Sequence, residues 1–435
     1  MQLPFFGLVK QIYPPRNQPD TDDLLQKELT RTRLLDAVLP GQRVLLTAGS
    51  RGIDSKPGVL AALVREVRAR GGKPFIYPAM GSHGGGTASG QVEVLDHLGI
   101  TEETVGAPVY DGWESVPIGH TDLGAPVMAD RAAVEADHII LVNRIKEHTD
   151  FIGQIESGLV KIAAIGLGRQ PGAASMHRMA IDIGLQKSLL STARVLLEKL
   201  PILGGVAILE DQWNRLRRLE VVPGDRLFER EPELLTESRA FKPKLPWDRI
   251  DVLIIDEIGK EISGTGADSK VIGRIMNRFE SECASPFIKR IVVLDLSANS
   301  YGNAIGIGMA DFTTVSVSSK IDHRVTALNC ITGGRPELGK VPIALASDRE
   351  AVETSFLTMG PCSLETVRSV WIKNTKNLTW LAASKALLAE IPGRSDLERI
   401  GEVFELPFGT DRTLRRLETL LPAESASPVP GSTGS

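Results

Sequence analysis

Short apolar segments alternate along the chain with longer segments of helical periodicity. Segments such as HIILVN and DVLIID are apolar on both faces, which is typical of parallel strands that helices cover on each side. Strands are predicted on this basis at 43–48, 74–78, 138–143, 205–209, 251–256, 291–296, 313–317 and 367–372. Helices are predicted between them, among others at 58–70, 183–199 and 378–390. The alternation predicts an α/β fold with mainly parallel sheets.

The length of the chain predicts more than one domain. At 435 residues it exceeds the usual size of a single domain, so two α/β domains are expected. The composition changes in the charged segment 229–246, which contains three prolines, and a domain boundary is predicted there. The predicted domains are 1–240 and 241–424, and the sequence SASPVPGSTGS predicts a disordered tail at 425–435.

Charge and composition disfavour several classes of protein. A net charge of −4 and a pI near 6.1 give no electrostatic footprint for nucleic acid. No segment of roughly 18 or more apolar residues predicts a membrane span, and the start MQLPFFGLVKQIYPP lacks the features of a signal peptide. Cys283, Cys330 and Cys362 are widely spaced and form no CxxC pair, which favours reduced thiols. A cytoplasmic protein without nucleic-acid or membrane partners is expected.

Two candidate loops follow predicted strands, where open α/β sheets bind their ligands. In TAGSRGIDSKP, Arg51 suits a carboxylate or a phosphate because its planar guanidinium can donate two parallel hydrogen bonds. The alternative is an exposed arginine in a helix-capping turn. In MGSHGGGTASG, glycines allow backbone amides to approach a ligand closely, and His83 stands among them. Without GxGxxG spacing or a Walker lysine this is no standard nucleotide loop, so His83 is either functional or structural.

A third candidate is the segment 146–180, which contains His148, Lys161 and His177 among small residues. On one continuous helix, Lys161 and His177 would point about 160° apart. The sequence GLGRQPG predicts a chain reversal between them, which allows both side chains to face one pocket. A lysine in the apolar GLVKIAAIGL is costly unless its amine is paired, neutral or covalently used. The alternative is a core histidine and a solvated lysine.

A fourth candidate, IGKEISGTGADSKVIGR, follows the predicted strand DVLIID. Lys260 and the turn SGTGAD can bind an anion or close over the site of the first domain, or the segment is an ordinary glycine-rich loop. The chain has no HExxH, no GxSxG and no clustered Asp and Glu pattern of a metal site.

Together these residues resemble the nickel-dependent lactate racemase family, the enzymes that use a nickel-pincer nucleotide, as a divergent homologue. The resemblance rests on order and spacing over roughly residues 40–180. Its elements are Arg51 after the first predicted strand, His83 in GSH, His148 in EHTDF, Lys161 in ESGLVK, and His177 sixteen residues later.

The resemblance implies roles for four of these side chains. Lys161 would carry a covalently tethered pyridinium-3,5-bisthiocarboxylic acid mononucleotide, whose two sulfur-bearing arms and a ring carbon hold nickel. His177 would complete the nickel coordination. His83 and His148 would be the two catalytic acid/base residues. Enzymes that make this cofactor are then expected partners.

The resemblance also implies the substrate contacts. Arg51 would hold the substrate carboxylate, and Lys260 aligns with a substrate-contacting lysine of the family's C-terminal domain. The active site is therefore expected in the cleft between the two domains. The interval from His148 to Lys161 is thirteen residues, rich in acids and longer than the racemase pattern, which leaves the substrate open. The interval from Lys161 to His177 is retained.

The expected function is an isomerase, a racemase or C2-epimerase of a 2-hydroxy acid. Removing hydride from the carbon that bears the hydroxyl gives a planar 2-keto acid, to which hydride can return on either face. A cofactor must accept the hydride because protein side chains do not. Histidines, with pKa values near neutrality, suit the proton transfer from the hydroxyl.

Three alternatives remain open from the sequence. One is a metal-dependent hydrolase or lyase that uses His83, His148 and His177 without a tethered nucleotide. Another is an NAD-type dehydrogenase, which the missing GxGxxG disfavours. The third is a non-catalytic anion-binding module.

Overall fold

The computed structural model describes residues 1–14, 19–50 and 52–422, and the chain divides into two compact units. The first unit is Pro15–Lys242, and the second combines Met1–Pro14 with Pro243–Ser435. The predicted domain 1–240 thus differs from the first unit at its start, because β1 (Phe6–Gln11) pairs with strands of the second unit. The predicted tail 425–435 and the predicted substrate ligand Arg51 lie outside the described residues.

The first unit alternates helices and strands. Its elements are α1 (Thr21–Thr32), β2 (Arg43–Ala48), α2 (Lys56–Ala69), β3 (Lys73–Pro78), α3 (Ala88–His97), α4 (Glu102–Val105), β4 (Ser115–His120), β5 (Pro126–Asp130), α5 (Arg131–Val134), β6 (His138–Arg144), α6 (Leu159–Lys161), a π-helix (Ile162–Gly166), α7 (Arg169–Ile183), α8 (Leu185–Lys199), β7 (Ile202–Glu210), β8 (Leu216–Pro223) and α9 (Leu227–Phe241). Short 3-10 helices lie at Leu34–Ala37, Gly84–Gly86 and Gly224–Arg226.

The second unit has more strands and shorter helices. Its elements after β1 are β9 (Arg249–Ile255), α10 (Ser269–Ile272), β10 (Phe287–Val293), β11 (Phe312–Thr314), α11 (Val315–Ser319), α12 (His323–Thr332), β12 (Ile343–Leu345), α13 (Asp348–Leu357), β13 (Ser369–Ile372), β14 (Trp380–Ser384), α14 (Lys385–Leu388) and β15 (Leu397–Phe404). Short 3-10 helices lie at Ala298–Ser300, Ile307–Met309, Pro336–Gly339 and Leu417–Leu420.

The main sheet of the first unit has the order β3-β2-β6-β7-β8. All neighbours are parallel except the hairpin partners β7 and β8. Both faces are covered, because successive residues of a strand enter different cores. Leu45 and Leu141 lie in one core, whereas Val44 and Val142 lie in the other. The strands β4 and β5 form a separate antiparallel pair.

The sheet of the second unit has the order β12-β11-β10-β9-β13-β14-β1-β15. The pairs from β12 to β13 are parallel, and the pairs from β13 to β15 are antiparallel. Leu253 and Ile255 face one core and Val252 and Ile254 the other, so this sheet is also covered on both faces. The predicted α/β class with mainly parallel sheets is confirmed.

The predicted elements differ from the structure at three places. The strand at 43–48 has the predicted bounds, but the strand predicted at 313–317 ends at Thr314, whose side chain caps α11 by accepting from the amide of Val317. The helix predicted at 378–390 is confirmed only at α14 (Lys385–Leu388), because its first part forms β14 between β13 and β1. The predicted boundary segment is largely α9, which buries Leu234 and Leu235. Among the described residues, no helix combines the length and the hydrophobicity needed to cross a lipid bilayer.

Candidate functional site

His83 lies in the glycine loop that follows β3, directly before the 3-10 turn Gly84–Gly86. The histidine is exposed, and its backbone carbonyl accepts a hydrogen bond from the Gly86 amide at 3.1 Å. Gly84 has a φ of +61°, and a Cβ atom there would collide with the backbone of Gly90. Glycine is therefore required for the loop to close on itself below the exposed histidine.

The buried side chain of Gln91 anchors this loop from behind. Its amide donates to two loop carbonyls, at 3.0 Å to Met80 and at 2.8 Å to Gly81. Its oxygen accepts from Nη1 of Arg169, the first residue of α7, at 3.4 Å. Buried polar contacts thus join the loop that carries His83 to the start of α7.

Arg169 lies at the interruption between the π-helix Ile162–Gly166 and α7. It is 1% exposed and has a φ of +47°, which is rare for a residue with a side chain. Its guanidinium lies 4.7 Å from the ring centroid of Tyr77 and 5.2 Å from those of Tyr110 and Trp113. Its Nε also donates to the Tyr77 hydroxyl at 3.1 Å and pairs with Asp130 at 3.2 Å. The carboxylate and the ring faces offset the burial of the charge.

Lys161 ends the short helix α6 and directly precedes the π-helix Ile162–Gly166. Such π-helical turns are rare and occur frequently at functional sites. The neighbours Val160 and Ala163 are buried, whereas the lysine is half-buried. Its side chain therefore emerges from an apolar wall. A turn at 167–168 and the positive φ of Arg169 interrupt the helical backbone before α7, and the predicted reversal stays a prediction.

Glu231 of α9 caps the amino end of α6. It is 1% exposed, and its Oε2 accepts from the amide of Val160 at 2.9 Å. A Cβ atom at Gly158 would collide with this carboxylate, so the glycine before α6 makes room for it. Burial raises the pKa of Glu231 to about 7, against the opposing effect of hydrogen bonds from the amides of Val160 and Leu159. The position and direction of the helix that ends at Lys161 are thereby set.

His177 lies on α7 one turn after Ala173, so the two side chains share a face of the helix. A Cβ atom at Gly81 would lie 2.9 Å from that of Ala173, which shows that the glycine loop packs against this face. Desolvation lowers the pKa of His177, the charge of Lys161 lowers it further, and Asp150 raises it. The residue nevertheless keeps contact with solvent. The direction of this pKa shift favours the neutral imidazole.

His148 lies in the loop 146–157, which an antiparallel bridge between Lys146 and Ser157 closes. Its side chain retains 16% exposure, and its ring stacks on that of the buried Phe151 with centroids 4.7 Å apart. Its Nδ1 accepts a hydrogen bond from the Asp150 amide at 3.0 Å and lies 3.8 Å from Oδ2 of the same residue. These contacts set the plane of the imidazole and the direction of its Nδ1 edge.

The acids of this loop are held in internal contacts. Glu156 is fully buried and accepts hydrogen bonds from two loop amides, at 2.6 and 3.1 Å, and from Nη2 of Arg239 at 2.7 Å. Glu147 pairs with Arg239 and with Lys242, at 3.3 Å each. The acid-rich sequence that departs from the racemase pattern therefore serves the architecture of the loop.

The structure brings several predicted site residues together in the first unit. Lys161 and Asp150 act electrostatically on His177, and Asp150 contacts His148. The loop that carries His83 packs on the helix that carries His177. In the part of the chain that the structure describes, no group of three or more His, Cys, Asp or Glu side chains is arranged to hold a metal ion by itself.

Lys260, predicted as a substrate ligand, lies in the second unit after β9. Its Nζ donates to the Gly264 carbonyl and to Oδ1 of Asn329 on α12, at 2.8 Å each. These bonds hold the ammonium in the loop between β9 and α10. Its predicted contact with substrate stays a prediction.

Sequence reasoning missed three buried residues beside the site. Glu156 and Glu231 position the segments that carry His148 and Lys161, and no short-range pattern marks Glu231, which lies seventy residues after Lys161. Lys56, at the start of α2, is 1% exposed and donates to a loop carbonyl at 2.8 Å. Burial lowers the pKa of Lys56 to about 7. A lysine beside proline gives no sign of such burial in the sequence.

The comparisons with known proteins found one matching family model, over part of the chain, and a similar solved structure. A family model described as "Domain of unknown function (DUF362)" matches residues 46–222, a range that includes His83, His148, Lys161 and His177. No curated protein matches the chain. Among solved structures, the chain is similar to that of the lactate racemase apoprotein from Thermoanaerobacterium thermosaccharolyticum, with 13% identity and a TM-score of 0.48. That match covers 86% of this chain and 89% of the other.

Proposed function

We propose that this protein is an isomerase, a racemase or C2-epimerase of a 2-hydroxy acid. It would work with nickel held by a pyridinium-3,5-bisthiocarboxylic acid mononucleotide that is tethered to Lys161. The observation that supports this most directly is the electrostatic coupling of His177 to Lys161 and Asp150. This coupling links the proposed nickel ligand His177 to the proposed tether Lys161 and to Asp150, which is the neighbour of the proposed catalytic His148.

The residues present fit such a cofactor. A histidine binds nickel as the neutral imidazole, and the lowered pKa of His177 favours that form. A tether needs an amine that emerges beside apolar surface, and Lys161 stands between the buried residues Val160 and Ile162. The next residues after Ile162 are the small and buried Ala163 and Ala164, so the apolar surface beside Lys161 carries few large side chains.

When bound, this cofactor supplies a hydride acceptor, which no protein side chain offers. The side chains have to bind the substrate and move one proton. One histidine would take the proton from the substrate hydroxyl as the bond between hydrogen and carbon breaks. When that bond forms again on the other face, the second histidine would give a proton to the keto oxygen. His83 and His148 would each serve one enantiomer. General acid–base help of this kind contributes roughly 10²–10⁴-fold to the rate.

Two groups of Asp150, its backbone amide and its carboxylate, lie near Nδ1 of His148. The backbone amide at 3.0 Å donates to an unprotonated Nδ1, and the carboxylate at 3.8 Å attracts a protonated one. The second arrangement stabilises the tautomer in which Nε2 can accept a proton, and also the imidazolium that results. Asp150 would therefore support His148 in both directions of the reaction.

Substrate binding is assigned to Arg51 and Lys260 within this proposal. A guanidinium at residue 51 would hold the carboxylate through two parallel hydrogen bonds, equally for both enantiomers. An ammonium at residue 260 would contact the same anion or the hydroxyl. Lactate, malate, an aromatic hydroxy acid and a sugar acid all satisfy these requirements.

The test begins with production of the protein alongside the enzymes that make the cofactor. Intact mass and nickel content are measured for the wild type, for Lys161→Ala, and for Lys146→Ala as a matched control from the same segment. We expect an adduct of mononucleotide size and about one nickel per chain in the wild type and the control, and neither in Lys161→Ala. Loaded protein is then screened with 2-hydroxy acids for loss of optical rotation.

The opposing outcomes are distinct. If no adduct forms where a known racemase acquires one, the tethered cofactor is wrong. Metal without an adduct would then favour the metal-dependent hydrolase or lyase, and the absence of both would favour the anion-binding module.

A further inference from the structure

The loop 146–157 is organised around one buried carboxylate. Glu156 is fully buried, and its Oε2 accepts from the amide of His148 at 2.6 Å. Its Oε1 accepts from the amide of Gly153 at 3.1 Å. The carboxylate therefore bonds the backbone of the proposed catalytic histidine on one side and the far part of the loop on the other.

Arg239 of α9 holds that carboxylate from outside the loop. Its Nη2 donates to Oε1 of Glu156 at 2.7 Å and to the carbonyl of Gly153 at 3.1 Å. The same helix also contacts the residue between β6 and the loop, since Oγ of Ser238 donates to the carbonyl of Ile145 at 2.8 Å. A buried carboxylate with an arginine partner and two amide donors is well satisfied, and such a centre makes the surrounding backbone rigid.

We propose that Glu156, held by Arg239, is the positioning residue that fixes His148 for proton transfer, a role that rests on the proposed function. The hydrogen bond to the backbone amide of His148 fixes the backbone from which the imidazole projects. The stack on Phe151 fixes the plane of the ring. Loss of the carboxylate frees the backbone but leaves the imidazole itself intact. The reaction then slows because a histidine displaced by about 1 Å can lower the rate by about 10²-fold.

The experiment compares Glu156→Gln with Glu147→Gln in the loaded holoenzyme. Each variant removes one negative charge from the same loop, and each residue contacts Arg239, but only Glu156 bonds the amides of His148 and Gly153. A glutamine at 156 offers one oxygen where two amides and a guanidinium need acceptors. Arg239→Lys, which keeps the positive charge, serves as the conservative variant.

Two readouts are needed. Amide hydrogen exchange measures the loop directly, and we expect the amides of His148 and Gly153 to exchange about 10-fold faster or more in Glu156→Gln but not in Glu147→Gln. Turnover measures the consequence, and we expect kcat to fall about 10- to 100-fold in Glu156→Gln. KM, adduct mass and nickel content should stay at the wild-type values, and Arg239→Lys should retain more kcat than Arg239→Met.

Equal exchange in the two glutamine variants, or an unchanged kcat in Glu156→Gln, overturns the proposal. A parallel loss of adduct, nickel and kcat also overturns it, because that pattern belongs to a purely structural residue. If loaded wild-type protein turns over no 2-hydroxy acid, the proposed function fails instead. Hydrogen exchange still decides in that case whether Glu156 holds the loop, so the two failures are distinguishable.

Discussion

At the scale of single residues, the histidines of the site differ in their surroundings more than in their spacing. Desolvation and the charge of Lys161 both lower the pKa of His177, which favours its neutral form. His148 has a carboxylate and a backbone amide at Nδ1 and an aromatic ring on its face. His83 is exposed in a glycine loop. These surroundings suit a metal ligand and two proton-transfer residues, respectively.

Replacing these histidines should therefore remove different properties, nickel binding in one case and turnover in the other. We expect His177→Asn to lose nickel while keeping the mass adduct on Lys161, because the tether does not depend on the imidazole. His148→Asn should keep both adduct and nickel and lose turnover by about 10²-fold or more. Nickel analysis, intact mass and kcat on the same preparations check this. Loss of nickel in His148→Asn would instead point to a metal site built from the histidines themselves.

Glu231 should make the stability of the protein depend on pH in a defined direction. Its pKa is raised to about 7 in the folded protein from an ordinary value near 4.5, so the folded state binds the proton more tightly than the unfolded state. The stabilisation from this group is complete below about pH 4.5 and disappears as the pH rises towards about 7. Relative to Glu231→Gln, the wild type should lose about 3 kcal/mol of unfolding free energy across that range.

Urea unfolding of wild type and Glu231→Gln at pH 5 and pH 8 measures this difference. The other titrating groups are common to both proteins, so their contributions cancel in the comparison. A difference between the two proteins that is the same at both pH values would show that Glu231 does not titrate between them.

At the scale of elements, α9 has the largest influence on the site although it carries none of the proposed catalytic residues. Glu231 caps α6, and Ser238 donates to the carbonyl of Ile145, just before the loop of His148. Arg239 donates to the carboxylate of Glu156 inside that loop. The sequence marked this segment as a boundary because of its charges and prolines. Those charges are instead partners of buried groups in α6 and the loop, which no local pattern can reveal.

Two neighbouring glycines in the loop of His83, Gly84 and Gly85, allow a matched pair of substitutions. Gly84 and Gly85 both have φ near +60°, but only a Cβ at Gly84 meets other atoms, those of the Gly90 backbone. Gly85→Ala should lower the unfolding free energy by about 1–2 kcal/mol through left-handed strain alone. Gly84→Ala should lower it by about 2–5 kcal/mol, because overpacking against the backbone adds to that strain.

Denaturant unfolding of these two variants, with the wild type beside them, checks the difference. Equal losses of unfolding free energy would mean that the loop relaxes without contact between residues 84 and 90, and that it does not hold His83 by close packing.

At the scale of the whole molecule, the second unit is discontinuous in sequence, whereas the first is a single segment. The first fourteen residues supply β1, which lies between β14 and β15 in the sheet of the second unit. Phe6 is fully buried in that sheet, in the same core as Trp371. Residues 6–11 therefore complete a sheet whose other strands come from residues beyond 248.

Phe6→Ala should consequently destabilise the second unit. The loss expected for a buried phenylalanine is about 3–5 kcal/mol. Lys10→Ala on the same strand, whose ammonium lies 5.5 Å from the ring centroid of Trp380, should lose only about 0.5–1 kcal/mol. Hydrogen exchange locates the effect, which should appear in peptides from β13 to β15 and leave β2, β3 and β6 unchanged. Faster exchange in the first unit alone would contradict this division of the chain.

Much of the fold was predictable because its strands and helices follow from local patterns of apolar and polar residues. The strand at 43–48 was predicted with its exact bounds, since five consecutive apolar or small residues follow one another there. The strand β14 was predicted as a helix, because LTWLAASKALLAE has helical periodicity by itself. Its pairing with β1 and β13 decided otherwise, and those partners lie far away in the sequence.

The sequence by itself determined the α/β class, which depends on residue type and short spacing. It also named candidate residues for the chemistry, whose roles stay predictions. Only the tertiary structure decided that β1 belongs to the second unit, that Glu231 and Arg239 support the segments of Lys161 and His148, and that Asp150 acts on His177. The reason is physical: burial and electrostatic coupling arise from distance in space, which residues separated along the sequence acquire only when the chain folds.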